Sequence, residues 1–190
     1  MEQAKRECIL SEAVRCFARF GFKKASIDEI ARRAGVAKGT VYLACESKED
    51  LFYQAIHREV RAWQAEVARF IDPRKQADEL LELMSSAGLA TLPDHPLVQD
   101  LLFGKTAELL PSWRARFADL RAMGLVNVVE VLRLGIRQGV FRKDLDVEPT
   151  AALLQDLQAA AYVFHGPDVE KLLQMQRAGL DLVLDGLRTR

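Results

Sequence analysis

The chain has 190 residues, enough for one hydrophobic core or two small ones, and its 49% hydrophobic and 28% charged content is ordinary for a globular protein. No apolar run approaches the ~18 residues of a membrane span, and the charged start MEQAKRECIL has no secretory signal. A formal net charge of zero excludes a protein that is basic throughout; three cysteines, Cys8, Cys16 and Cys45, without metal-like pairing fit a reducing cytoplasm.

In chain order, residues Glu2 to Phe20 predict a first helix with Ile9, Leu10, Ala13, Phe17 and Phe20 on its inner side, ended by Gly21. Ser26 followed by Glu29 is a capping box. It opens a short helix with Ile27, Ile30, Ala31 and Ala34 on one stripe. Gly35 can take the left-handed conformation that stops a helix sharply, and Ala37 to Tyr42 starts the next one. A small residue (Ala31), a glycine four positions later and β-branched Val41 ten positions later have the spacing of a DNA-binding helix-turn-helix, here at about residues 26–45. Between Lys5 and Lys48 there are ten basic and five acidic residues, so the motif lies in a modestly positive part of a neutral chain.

Ser47, with Asp50 three residues on, caps a long helix whose apolar face runs through Phe52, Ile56, Val60, Trp63, Val67 and Phe70 to Asp72-Pro73. Further helices are expected over Arg74–Leu92, Pro96–Leu110, from Pro111-Ser112 to Gly139, from about Pro149 to Gly166-Pro167, and from Asp168 to about Leu187. No strand-like alternation occurs, so the fold class is all-α. The last two helices carry more apolar surface than one neighbour can cover: Leu153, Leu157, Ala160, Ala161 and Phe164 on one, Leu173, Leu180 and Leu184 on the other. Full burial inside one monomer is one reading; a subunit interface is the preferred one, because a helix apolar on more than one side must be covered twice.

The segments Ile9-Leu10 to Phe17, Gly21-Phe22, Ser26-Ile27 to Ala31, Ala34-Gly35-Val36, Lys38-Gly39-Thr40-Val41-Tyr42 and Ser47-Lys48-Glu49 to Phe52 together resemble the TetR family of bacterial transcriptional regulators. The chain departs from that pattern at Ala44 and Cys45, where the family places aromatic residues. The resemblance implies an N-terminal DNA-binding domain over residues 1–46 and a helical effector-binding and dimerisation domain over residues 47–190. It implies double-stranded operator DNA as partner, a homodimer formed through the last two helices, and a repressor released by a small apolar effector. Lys38 would meet a base edge or a phosphate, Gly39 would allow close backbone approach, Thr40 and Tyr42 would offer hydroxyls to phosphate oxygens, and Ala37 stands with Lys38 among the few, small candidates for reading bases. Lys48 and Ser26 would hold phosphates at helix starts. Met84, Phe103, Trp113, Phe117 and Met123 would line the effector cavity, with plain core packing as the competing role.

Other chemistry is sparse. His57, His95 and His165 are isolated from any ligand-spaced partner, so surface or capping roles are expected and no metal or cofactor is called for. The cysteines are expected to pack as small apolar residues, with a redox role at Cys45 as the sharper alternative. There is no nucleophile elbow, P-loop or dinucleotide fingerprint. The competing function class is a small helical hydrolase or metal enzyme with a site assembled from distant residues.

Overall fold

A computed structural model describes residues 2–106, 113–166 and 168–188. Among these, the elements are helices α1 (Gln3–Lys24), α2 (Ile27–Arg33), α3 (Lys38–Tyr42), α4 (Lys48–Ala68), α5 (Ala77–Thr91), a 3₁₀ turn (Leu92–Asp94), then α6 (Pro96–Leu102), α7 (Arg114–Gln138), α8 (Val147–His165) and α9 (Val169–Leu187). No described helix is long and apolar enough to cross a membrane. The expected helix start at Pro111-Ser112, the end of the helix expected to reach Leu110, and Pro167 lie outside the described residues.

The chain divides into two compact units. One comprises residues 1–62 with 95–98, the other residues 63–94 and 99–190. The division falls between Ala62 and Trp63, inside α4.

In the first unit, Ile9, Ala13, Cys16 and Phe17 of α1 pack with Ile30, Ala31, Val41, Leu51, Phe52 and Ile56, all buried. Phe17, Phe22 and Phe52 form a ring cluster, with centroids 4.8 Å apart for Phe17–Phe52 and 5.0 Å for Phe22–Phe52. Gly21 breaks α1 at φ 72°, ψ 166°, a conformation an L side chain resists. Phe20, expected on the inner side, is exposed instead, and the guanidinium groups of Arg19 and Arg33 lie over its ring at 5.2 and 5.8 Å.

In the second unit, α7 packs on α5 and α8, and α9 packs on α5 and α8. Their shared core contains Leu80, Leu81, Leu132, Phe141, Leu154 and Leu184. The close approach is set at Gly135, where a Cβ would stand 2.1 Å from Phe141 Cδ2 and 2.9 Å from Ala77 Cβ. α5 starts three residues later than the sequence suggests. Asp72 accepts the Arg74 amide and forks its guanidinium at 2.9 and 2.8 Å, which folds residues 72–75 into a turn. The first helical amide, of Ala77, then donates to Gln138 Oε1 at 2.9 Å.

Candidate nucleic-acid interface and ligand cavity

The helix-turn-helix is built by local chemistry. Ser26 Oγ accepts the Glu29 amide at 3.2 Å, which starts α2. The reciprocal half of the expected capping box is absent, because the Glu29 carboxylate turns to Arg32 and Arg33 at 2.7 and 2.6 Å. Hydrogen bonds from these two guanidinium groups, Arg32 first, hold its carboxyl at a pKa of about 2. Gly35, at φ 66°, ends α2 in a Schellman turn: the Val36 amide reaches Ala31 O at 3.0 Å and the Gly35 amide reaches Arg32 O at 3.3 Å. The chain is thereby turned into α3, which buries only Val41.

The rest of α3 faces outward. Ala37, Lys38, Gly39 and Tyr42 are exposed and Thr40 is half-buried. Lys38 is not idle: its ammonium pairs with Asp28 of α2 at 2.9 Å, which raises its pKa. Lys48 donates to Lys23 O at 3.2 Å and sits 4.7 Å over the Phe22 ring, so it ties the start of α4 to the end of α1. An ammonium has three donors, so this tie leaves capacity for a phosphate. Ser26, Ala37, Lys38, Gly39, Thr40, Tyr42 and Lys48 therefore belong to one unit. Leu43, which the sequence reading passed over, is 76% exposed directly after Tyr42. Its only signal was an apolar residue one step beyond the helix.

The departures at Ala44 and Cys45 acquire a physical account. Cys45 is buried and its thiol donates to Val41 O at 3.4 Å, so it anchors the end of α3 by packing. Burial first, then the Asp50 charge, pushes its pKa up to about 11. That keeps it a thiol at neutral pH and opposes a redox role. Ala44 O accepts from Gln54 Nε2 at 3.1 Å, and Gln54 also donates to Asp50 at 2.9 Å. Asp50 completes the cap of α4: Ser47 Oγ accepts the Asp50 amide at 3.0 Å, while the Asp50 carboxylate takes the Glu46 amide at 3.1 Å. His95 departs from its expected surface role. It is buried, with Nδ1 3.3 Å from Glu59 Oε2.

The second unit holds a cavity of about 340 Å³ whose wall includes Trp63, Val67, Met84, Val128, Leu154 and Tyr162. Of the five residues expected there, Met84 alone is in the wall. Phe103 is one ring removed, edge-on to Tyr162 at 5.8 Å between centroids. Trp113 is buried against Phe117 at 6.1 Å, with Arg116 over its ring, and neither Trp113, Phe117 nor Met123 lines the cavity. The polar groups of the wall include Gln155, Gln158 and Tyr162. Helical periodicity marks these as positions on α8 without saying which neighbour they face. Tyr162 OH accepts from Gln176 Nε2 at 3.2 Å, and Ser85 Oγ donates to Gln176 Oε1 at 2.9 Å.

Of the expected interface residues, Leu153, Leu157 and Phe164 are exposed at 54, 45 and 80%. Ala160, Ala161, Leu173 and Leu180 are half-buried, and Leu180 also reaches the cavity wall. Leu184 is a correction: it is 1% exposed, packed inside the core of its own chain, where no second chain can touch it. Val163, Met175 and Leu182 add exposed apolar surface that the sequence reading omitted.

Comparison with known proteins agrees with this geometry. Residues 9–55 match the family model described as bacterial regulatory proteins, tetR family. The chain is 25% identical over 190 residues to the fatty acid metabolism regulator protein of Bacillus subtilis strain 168, covering 96% of this chain and 95% of that one. It is 25% identical over 201 residues to the transcriptional repressor KstR2 of Rhodococcus jostii strain RHA1, covering 98% and 92% respectively. The structure of FadR from Bacillus subtilis in complex with stearoyl-CoA superimposes with a TM-score of 0.72 at 22% identity, over 96% of this chain and 99% of that one. These relatives are regulators, and TetR-type regulators are not enzymes, which removes the hydrolase alternative. The capped helix-turn-helix, the family match over it and the full-length likeness to regulators lead to one conclusion: the chain belongs to the TetR family of bacterial transcriptional regulators.

Proposed function

We propose that this regulator is a ligand-responsive repressor that binds a near-palindromic operator as a cytoplasmic homodimer and is released by a small, mostly apolar effector. Residues 1–46 would form the DNA-binding domain and residues 47–190 the effector and dimerisation domain. The observation that carries the reading is α3, which buries Val41 alone and presents Ala37, Lys38, Gly39 and Tyr42 to solvent beside half-buried Thr40. A helix held this way by a glycine turn is the shape that enters a major groove.

Dimerisation is supported by the apolar stripe Leu153, Leu157 and Phe164 on α8, with Met175 and Leu182 on α9. A two-fold dimer offers two recognition helices, hence two half-sites. The effector role is supported by the cavity and by α4. That one helix carries Lys48 at its start and Trp63, Gln64, Val67 and Ala68 in the cavity wall toward its end. A ligand that prefers one placement of α4 shifts the population of DNA-competent protein, and operator must weaken ligand binding by the same factor. The relatives' names, a fatty acid metabolism regulator and a repressor, accord with this reading.

The test is footprinting of DNA upstream of the protein's own coding region, followed by titration of the protected site at several salt concentrations. Lys48→Ala should weaken binding to all sequences alike and lower the salt slope by about one. Absence of any salt-dependent, sequence-selective protection would reject the reading; an unchanged slope and affinity would remove Lys48 from the interface.

A further inference from the structure

We infer that Leu43 is a base-reading residue of this regulator: its side chain selects thymine in each operator half-site by packing on the 5-methyl group in the major groove. The inference rests on the DNA-binding reading above and names what its recognition helix recognises.

Three observations carry it. First, Leu43 continues the helical backbone of α3, at φ −77° and ψ −18°, and its amide donates to Gly39 O at 3.2 Å. At about 100° per residue it stands about 200° around the helix axis from Val41. Val41 is fully buried, so Leu43, 76% exposed, is on the side of the helix turned directly away from its own unit. Second, Gly39 lies one turn earlier on that same side, and a Cβ built on it would meet nothing within 4 Å. A groove floor can therefore approach the backbone there, and the side chain that projects from this side is Leu43. Third, the helix lacks the groups that read bases through paired hydrogen bonds. From Ala37 to Ala44 the chain has no Arg, Asn, Gln, Asp or Glu, and the Lys38 ammonium is held by Asp28 at 2.9 Å.

Apolar contact is then the discrimination available at the outermost position. Among the bases, thymine alone offers an apolar group in the major groove, its 5-methyl. Packing Leu43 on that methyl removes apolar surface of both partners from water. Over guanine or cytosine the same side chain would cover O6, N7 or N4 and give no hydrogen bond in return, which is costly.

The test is binding of the full chain to its footprinted site, followed by fluorescence anisotropy. Each thymine is replaced in turn, at matching positions of both half-sites, by deoxyuridine, which lacks only the 5-methyl group. One matching pair of positions should lose about tenfold in affinity. Leu43→Ala should bind the thymine operator about tenfold more weakly than the parent and should bind the thymine and uracil forms of that pair equally. Its salt slope should equal the parent's, since no phosphate contact is lost. Leu43→Ser gives the same reading if Leu43→Ala does not fold. Parent affinity untouched by every uracil, or a uracil loss as large in the variants as in the parent, overturns this inference and leaves the DNA-binding reading in place. Absence of any sequence-selective protected site rejects that reading, and this inference with it.

Discussion

Lys38 opens the exposed helix α3, and its ammonium is paired with Asp28, ten residues earlier, across the turn. Under the proposed interface, DNA must compete with that carboxylate, which also repels phosphate. Asp28→Asn is therefore expected to tighten operator binding by a factor of about two to five, with a gain that shrinks as salt rises. Looser binding in a salt series would mean that Asp28 instead positions Lys38 for contact. Glu29 makes a second prediction at this scale. Its folded pKa of about 2 lies below the ordinary 4.5, so its ion pairs contribute fully above pH 4.5 and are lost as pH falls through 2. The difference in melting temperature between the parent and Glu29→Gln should be constant above pH 4.5 and vanish toward pH 2. A difference that persists at pH 2 would point to packing rather than charge.

At the scale of elements, helix ends follow from short-range chemistry and helix faces do not. Ser26, Gly35, Ser47 and Gly139 act within a few residues of themselves, so α2, the turn before α3, the start of α4 and the end of α7 were legible. The delayed start of α5 was not, because it depends on Asp72 folding back on Arg74 and on Gln138 receiving the Ala77 amide from 61 residues away. Gly135 is a similar case. Inside α7 it reads as a weak helix position, yet Phe141 and Ala77 occupy the space its missing side chain leaves. Gly135→Ala improves helix propensity but overpacks this contact, and is expected to lower unfolding free energy by about 1–3 kcal/mol. Urea denaturation measures it; a rise in the midpoint would show that α7 moves away freely.

At the scale of the molecule, exposure separates residues that periodicity grouped together. Leu157 and Leu184 both fall on apolar stripes of the last two helices. Leu157 is 45% exposed in the single chain, whereas Leu184 is 1% exposed and lies among Leu80, Leu132 and Phe141. Under the proposed dimer, Leu157→Glu buries a charge only between subunits, so the protein should stay folded by circular dichroism and sediment as a monomer with weakened operator binding. Leu184→Glu places the charge in the core and should unfold the chain outright. A Leu157→Glu protein that still sediments as a dimer would move the interface elsewhere.

The sequence by itself determined the all-helical class, the helix-turn-helix and the family resemblance, since each rests on spacing and capping within a few turns of chain. Only tertiary structure decided the rest. Three of the expected ligand residues, Trp113, Phe117 and Met123, stand away from the cavity, and the wall is instead formed by Trp63, Val128, Leu154, Gln155 and Tyr162. Apolar and amide side chains look alike along a helix whether they fill a core, line a void or wait for a partner. What distinguishes them is which atoms of other helices come within reach, and that is set by packing between residues far apart in the chain.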